Sequence, residues 1–158
     1  MTNGQLIGPR RAEAEAGAPA AGATGTVELV GPDRRQVWLA PEADAPGLAR
    51  AMVTDACHAW DLPRLLHPAR LVMSELALNA VEHAGTSLIA AVERRGAELY
   101  LAVSDGAVRP PRLRGPAVPR DGAPLDDRGL GLWTVQATAA AWGATTTTTG
   151  KVVWAVLR

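Results

Sequence analysis

The chain has 158 residues, with 16 basic and 16 acidic side chains and therefore a formal net charge of zero. A neutral chain has no overall field that attracts nucleic acid or an anionic membrane surface. No apolar run approaches the ~20 residues of a membrane span, and the single cysteine, Cys57, cannot form an intramolecular disulfide. We therefore expect a soluble cytoplasmic protein with no direct nucleic-acid or membrane partner.

The N-terminal segment, residues 1–25, contains mainly Ala, Gly and Pro with scattered charges and shows no sustained hydrophobic period. Such a segment has too few large apolar groups to offset the entropy that it would lose on ordering. We predict a disordered tail over residues 1–25 and one folded domain over residues 26–158.

The first half of the domain changes from a strand pattern to a helix pattern. TVELVGPDRRQVWLA is typical of two short strands with a turn at Gly31-Pro32-Asp33. The next helix shows apolar residues at helical spacing, Leu48, Met52, Ala56 and Trp60. Leu62-Pro63 ends it. A second helix is predicted from about His67 to His83, with Gly85 as its C-terminal cap.

The second half contains two pairs of strands and a long loop. TSLIAAVERR and AELYLAVSD alternate and meet at Gly96, which predicts a β-hairpin. Residues 106–127 are rich in Gly and Pro, and loops longer than ~12–15 residues are usually functional or disordered. RGLGLWTVQATAAAWG predicts a helix that ends at Gly143, and two strands around Gly150-Lys151 complete the chain.

This order of elements predicts an α+β fold. Tight turns between consecutive strands favour antiparallel pairing. About three helices and five or six strands form a two-layer α/β sandwich, in which the helices cover one face of a mixed, mostly antiparallel sheet.

The second helix carries a polar pair among apolar residues. In RLVMSELALNAVEHAG, Glu75 and Asn79 lie one turn apart, opposite a broad apolar side, and Leu71 and Leu78 flank them. A solvent-facing surface would be expected to carry Lys, Arg and Gln instead. The pattern predicts the lining of a half-buried pocket, and an exposed polar pair at this spacing is the alternative.

Two glycine-containing stretches suggest ligand contacts. Asp105-Gly106 ends a strand, where a carboxylate can accept a hydrogen bond from a ligand amine, although Asp-Gly is also an ordinary turn. Gly129 and Gly131 stand at a helix start, where backbone N–H groups and the helix dipole favour phosphate. A lone G-x-G is a weak signal by itself.

These three stretches together resemble the ATPase domain shared by gyrase B, MutL and sensor histidine kinases, which has the Bergerat-type fold. The chain is most similar to the small bacterial anti-sigma-factor serine/threonine kinases and their actinobacterial relatives. SELALNAVEHA resembles the N box, SDGA the first glycine box and DRGLGLWTV the second. The loop between the two glycine boxes resembles an ATP lid, and the resemblance covers about residues 35–158.

The resemblance implies an ATP and Mg²⁺ site with assigned roles. Asn79 would bind Mg²⁺ through its carbonyl oxygen, Glu75 would be the general base, and Asp105 would accept from the adenine N6 amine. The further nucleotide contacts that it implies are His83, Gly106, Arg128, Gly129, Leu130, Gly131 and Leu132. The first glycine box lacks its second glycine, because Ala107 and Val108 follow Gly106.

The resemblance also implies a function. The protein would phosphorylate a Ser or Thr of a small antagonist protein and sequester a sigma factor. The resemblance leaves open whether the protein forms a homodimer. A non-catalytic nucleotide-binding interaction module of the same fold is the alternative. A sensor-kinase fragment is disfavoured because no helix pair carrying an acceptor histidine is present, and a nucleic-acid binder has only the Arg-rich lid in its favour.

Overall fold

The computed structural model describes residues 24–111 and 131–158. Nearly all of the predicted tail and most of the predicted lid lie outside the described residues. Arg128, Gly129 and Leu130 lie outside them as well.

The described residues form six strands and three helices. The strands are β1 (Val27–Leu29), β2 (Arg34–Leu39), β3 (Leu88–Arg95), β4 (Glu98–Asp105), β5 (Ala141–Thr146) and β6 (Lys151–Leu157). The helices are α1 (Ala45–Ala59), α2 (Pro63–His83) and α3 (Gly131–Thr138).

The strands form one sheet in the order β1-β2-β3-β4-β6-β5. The α+β class and the strand number agree with the sequence-based prediction. The predicted mixture of strand directions is wrong for the described strands, because every neighbouring pair is antiparallel. The physical reason lies in the connection between β2 and β3, since two helices in succession return the chain to the end of the sheet at which β2 stops.

The main core lies between the sheet and the helices. Alternate residues of β4 and β6 face the helices and are buried: Leu99, Leu101, Val103, Val153, Ala155 and Leu157. Helix α2 contacts β3, β4 and β6, while α1 contacts β2 and β3, and α3 contacts α2 and β5. Cys57 belongs to this core, and burial raises the pKa of its thiol. Helix α2 therefore lies across the middle of the sandwich.

A smaller cluster covers the opposite face of the sheet. The Tyr100 and Trp154 rings stack with centroids 6.2 Å apart and an interplanar angle of 20°. The guanidinium of Arg95 lies over the Tyr100 ring, 3.9 Å from its centroid. A Cβ on Gly143 would lie 2.9 Å from Cζ2 of Trp154, so the indole occupies the space of a side chain there.

Helix α2 begins earlier than predicted. It starts at Pro63, whose fixed φ suits the first turn of a helix. The sequence-based start near His67 is about one turn too late, and Pro68 lies inside the helix. The additional turn buries Leu65 in the core, which compensates for the backbone hydrogen bond that Pro68 cannot donate. The predicted cap is confirmed, because Gly85 has φ +61°.

Helix α3 ends earlier than predicted. It stops at Thr138, and β5 begins at Ala141, so Gly143 lies within a strand rather than at a helix end. The backbone N–H of Ala140 donates to the Val156 carbonyl, which starts the pairing with β6. The Ala-rich sequence is compatible with either structure, and pairing with an already buried strand decides between them.

Candidate functional site

The described site residues lie on neighbouring elements, α2, β4 and α3, and Asp105 lies at the end of the sheet where α2 finishes. At this end Leu88 of β3 pairs with Asp105 of β4, and Asp105 pairs with Lys151 of β6. Helix α2 finishes here at His83, and it contacts both β4 and α3. The fold therefore brings together three stretches that are far apart in the sequence.

Glu75 lies directly against Gly131. A Cβ built on Gly131 would be 2.5 Å from Oε2 of Glu75 and 3.4 Å from its Cδ. The carboxylate thus occupies the volume that any side chain at position 131 would need. Gly131 is the first described residue of α3, and the carboxylate lies beside it. Two predicted site residues are in this way brought into contact.

The environment of Glu75 favours its neutral form. The side chain is half-buried, and burial raises the pKa of its carboxyl above the ordinary glutamate value. The negative charge of Glu82 raises this pKa further. Across residues 24–111 and 131–158, no hydrogen bond or ion pair engages the Glu75 carboxylate. A carboxylate with these properties can accept a proton more readily than a solvated one.

Asn79 is half-buried, as Glu75 is, and it lies one turn further along α2, as the helical pattern predicts. Its carboxamide forms no hydrogen bond within the described part of the chain. Leu71 and Leu78, which flank the pair, are 45% and 40% exposed. The site surface on α2 is therefore polar in its centre and apolar on both sides.

Two other predicted residues have less specific positions. His83 is exposed at the C-terminal end of α2. Leu132 is buried in the main core, so its side chain contributes to packing and only its backbone is available to a ligand.

Asp105 is held by a lysine that the sequence-based prediction did not include. Lys151 Nζ donates to Oδ1 at 2.9 Å and forms an ion pair with Oδ2, which lies 2.8 Å away. The Asp105 and Lys151 side chains are only 1% and 3% exposed. The Ala107 N–H also donates to Oδ1, at 2.8 Å. Two strand residues that pair across β4 and β6 therefore form a buried ion pair on the helix-facing side of the sheet.

Small residues bring the neighbouring backbone close to this pair. The Gly106 N–H donates to Oγ1 of Thr86 at 2.8 Å, and Thr86 lies in the loop between α2 and β3. A Cβ on Gly150 would collide with the Asp105 carbonyl oxygen. Gly150 therefore allows the β5–β6 turn to pack directly on the end of β4.

A sequence signal for Lys151 exists. It is the only lysine of the chain, and it shares the strand face of Val153, Ala155 and Leu157, which are apolar. A lysine at a core-facing strand position requires a partner of opposite charge. The alternation along the strand predicts which face of the sheet Lys151 occupies, but it does not identify Asp105 as its partner.

The structure allows one test of the implied metal. Within the described residues, no group of three or more His, Cys, Asp or Glu side chains could hold a metal ion. Mg²⁺ bound mainly through nucleotide phosphates needs few protein ligands, and the uncommitted carboxamide of Asn79 fits that requirement. None of the helices in the described ranges is long and apolar enough to cross a membrane.

Neither a scan against models of protein families nor a search of curated proteins finds a match to this chain.

Proposed function

We propose that the chain binds ATP with Mg²⁺ in a Bergerat-type site and transfers the γ-phosphoryl group to a Ser or Thr hydroxyl of a small antagonist protein. This is the activity of the anti-sigma-factor serine/threonine kinases that the sequence resembles. One observation carries the proposal: the half-buried Glu75 carboxylate, which forms no hydrogen bond within the described residues, lies against Gly131 of α3. The proposed base is therefore adjacent to a glycine of the second glycine box.

The side chains have complementary roles in this proposal. Mg²⁺, when bound, would neutralise phosphate charge, and Asn79 would hold it through its carbonyl oxygen. Glu75 accepts the proton of the attacking hydroxyl as the new oxygen–phosphorus bond forms, while ADP leaves with the electrons of the broken bond. Asp105 accepts from the adenine amine. The backbone at Gly131, together with the preceding glycine box, binds phosphate oxygens.

The proposed partners follow from the same resemblance. A sigma factor would be the protein that this domain sequesters, and the phosphorylated antagonist would control that binding. A homodimer and a cytoplasmic location belong to the same proposal.

A non-catalytic nucleotide-binding interaction module is the second candidate. One observation favours it: the first glycine box lacks its second glycine after Gly106, and Ala107 and Val108 restrict how closely the backbone approaches a ligand.

Glu75→Gln is the sharpest test, because glutamine keeps the size and hydrogen bonding of glutamate but cannot accept a proton. Calorimetry measures Mg·ATP binding, and single-turnover transfer from labelled ATP is measured with a panel of candidate antagonist proteins. We expect Glu75→Gln to bind ATP like the parent and to lose about 10²–10⁴ in transfer rate. Glu42→Gln, an exposed change in the segment before α1, is the matched control and should retain transfer.

The other outcomes separate the candidates. Transfer by Glu75→Gln within about threefold of the parent, well below the general-base range, would remove Glu75 from the mechanism. ATP binding by the parent without transfer to any antagonist would favour the non-catalytic module. A parent that does not bind ATP would contradict both candidates.

A further inference from the structure

The buried pair of Asp105 and Lys151 has one hydrogen-bonding position left on each partner. A carboxylate offers about four lone-pair positions, two on each oxygen. Oδ1 accepts hydrogen bonds from Lys151 Nζ and from the Ala107 N–H, whereas Oδ2 has only the ion-pair contact with Lys151 Nζ, at 2.8 Å. One acceptor position therefore remains, and it is on Oδ2.

Lys151 has one N–H donor that its described contacts do not use. Its ammonium group carries three N–H donors, and Asp105 accounts for two contacts. No other acceptor for Lys151 occurs in residues 24–111 or 131–158. The pair thus has one acceptor and one donor side by side, where β4 ends and β6 begins.

We infer that Lys151 is a base-binding residue, and that the Asp105–Lys151 pair recognises a purine through two adjacent hydrogen bonds. Oδ2 accepts from the exocyclic amine of adenine, and Lys151 donates to the ring nitrogen next to that amine, N1 or N7. This inference rests on the proposed ATP site and adds a second contact to it. Stability alone does not account for the pair, because buried ion pairs are often no more stabilising than apolar residues of similar volume.

Analogues of ATP test the inference on the unmodified chain. In 1-deaza-ATP and 7-deaza-ATP a C–H group replaces one ring nitrogen, and each analogue keeps the amine. We expect one of the two to bind about 10- to 100-fold more weakly than ATP, since a hydrogen bond from a charged donor is lost. Equal affinity for ATP and both analogues, measured by calorimetry with Mg²⁺, would overturn the inference and leave the proposed ATP binding intact.

Lys151→Met distinguishes a ligand contact from a purely structural role. The variant should bind ATP about 10- to 100-fold more weakly, and it should no longer distinguish ATP from the sensitive analogue, because the contact is already absent. A uniform loss for all nucleotides, with the parent's ratio between ATP and that analogue retained, would overturn the inference.

Arg158→Met is the matched control. It removes a cation just beyond the other end of β6, where Arg158 is exposed and pairs with Glu98. Its nucleotide affinities should equal those of the parent. If Lys151→Met does not fold, the analogue comparison on the parent decides the question. A parent that fails to bind ATP would remove both the inference and the proposed function.

Discussion

At the scale of single residues, Glu75 shows how surroundings change the chemistry of a common side chain. On an exposed helix surface a glutamate is solvated and a weak base. Here burial and Glu82 raise the pKa of its carboxyl, and Gly131 of α3 leaves room for it. The same environment carries a cost for stability, which can be measured.

Glu75→Gln should change how stability depends on pH. Because the pKa of Glu75 is raised in the folded state, the folded protein binds more protons than the unfolded chain between the ordinary and the raised pKa. Its free energy of unfolding therefore falls as pH rises through that range. Glu75→Gln cannot ionise and should be more stable than the parent at neutral pH, with the difference vanishing below the ordinary glutamate pKa.

Urea denaturation at a series of pH values measures this effect. Glu42→Gln, at an exposed position in the segment before α1, provides the control and should follow the parent. Parallel curves for the parent and Glu75→Gln would show that the Glu75 carboxylate is solvated in solution.

Asp105→Ala should destabilise the fold as well as alter base binding. The change leaves the Lys151 ammonium buried without its partner, and removing one member of a buried pair typically costs about 3–5 kcal/mol. The double variant Asp105→Leu/Lys151→Met removes both charges and should recover most of this loss. Urea denaturation of both variants gives the two free energies of unfolding. A cost below about 1 kcal/mol for Asp105→Ala, the level of an exposed pair, would mean that water reaches the pair.

This destabilisation affects how Asp105 variants are read in binding experiments. A partly unfolded variant loses affinity for every nucleotide alike. The role of Asp105 toward the adenine amine is therefore tested by the ratio of ATP to GTP affinity. Asp105→Asn should reduce that ratio, because a carboxylate rejects the guanine O6 carbonyl. An unchanged ratio would restrict Asp105 to shaping the strand end.

At the scale of elements, close contacts between backbones determine how the strand ends meet. Gly150 packs on the Asp105 carbonyl oxygen, so the turn between β5 and β6 approaches β4 without an intervening side chain. Gly47 of α1 is a useful contrast. A Cβ there would meet only Nη2 of Arg50, at an ordinary 3.7 Å.

The two glycines should respond in opposite directions to alanine. Gly150→Ala forces a methyl group against backbone that cannot move aside, and we expect a loss of about 1–3 kcal/mol in the free energy of unfolding. Gly47→Ala has room inside a helix and should stabilise by up to ~1 kcal/mol. Thermal denaturation of both variants checks the pair. A neutral Gly150→Ala would indicate that the turn is not packed on β4.

At the scale of the whole molecule, the sheet order distributes stability unevenly. Strand β4 lies between β3 and β6, with helix α2 packed over it. Strand β1 is an edge of only three residues, all exposed, and it pairs with β2 alone. A short, exposed edge strand separates from its neighbour more easily than a buried central strand does.

Hydrogen exchange should follow this order. The amides of β4 should exchange at rates close to global unfolding, and those of β1 should exchange many times faster. The other edge, β5, serves as an internal comparison, since it is longer and should be intermediate. Protection of β1 equal to that of β4 would indicate that this edge is covered in solution, for example by a second copy of the chain.

The local pattern of the sequence determined most of the elements. Hydrophobic periodicity located both long helices and the β3–β4 hairpin, and Gly85 marked the end of α2, because these signals depend on neighbours within one or two turns. The half-buried polarity of Glu75 and Asn79 followed from the same periodicity. The roles of these residues toward ATP stay predictions.

Only the tertiary structure decided the contacts between distant segments. The end of α3 depends on pairing between β5 and β6, and the contact of Glu75 with Gly131 depends on how α2 packs on α3. The partner of Lys151 likewise depends on the register between β4 and β6. Strand pairing and helix packing bring together residues far apart in the chain. A pattern read along the sequence contains the preference of each residue for burial, but not the identity of the residue that it will meet.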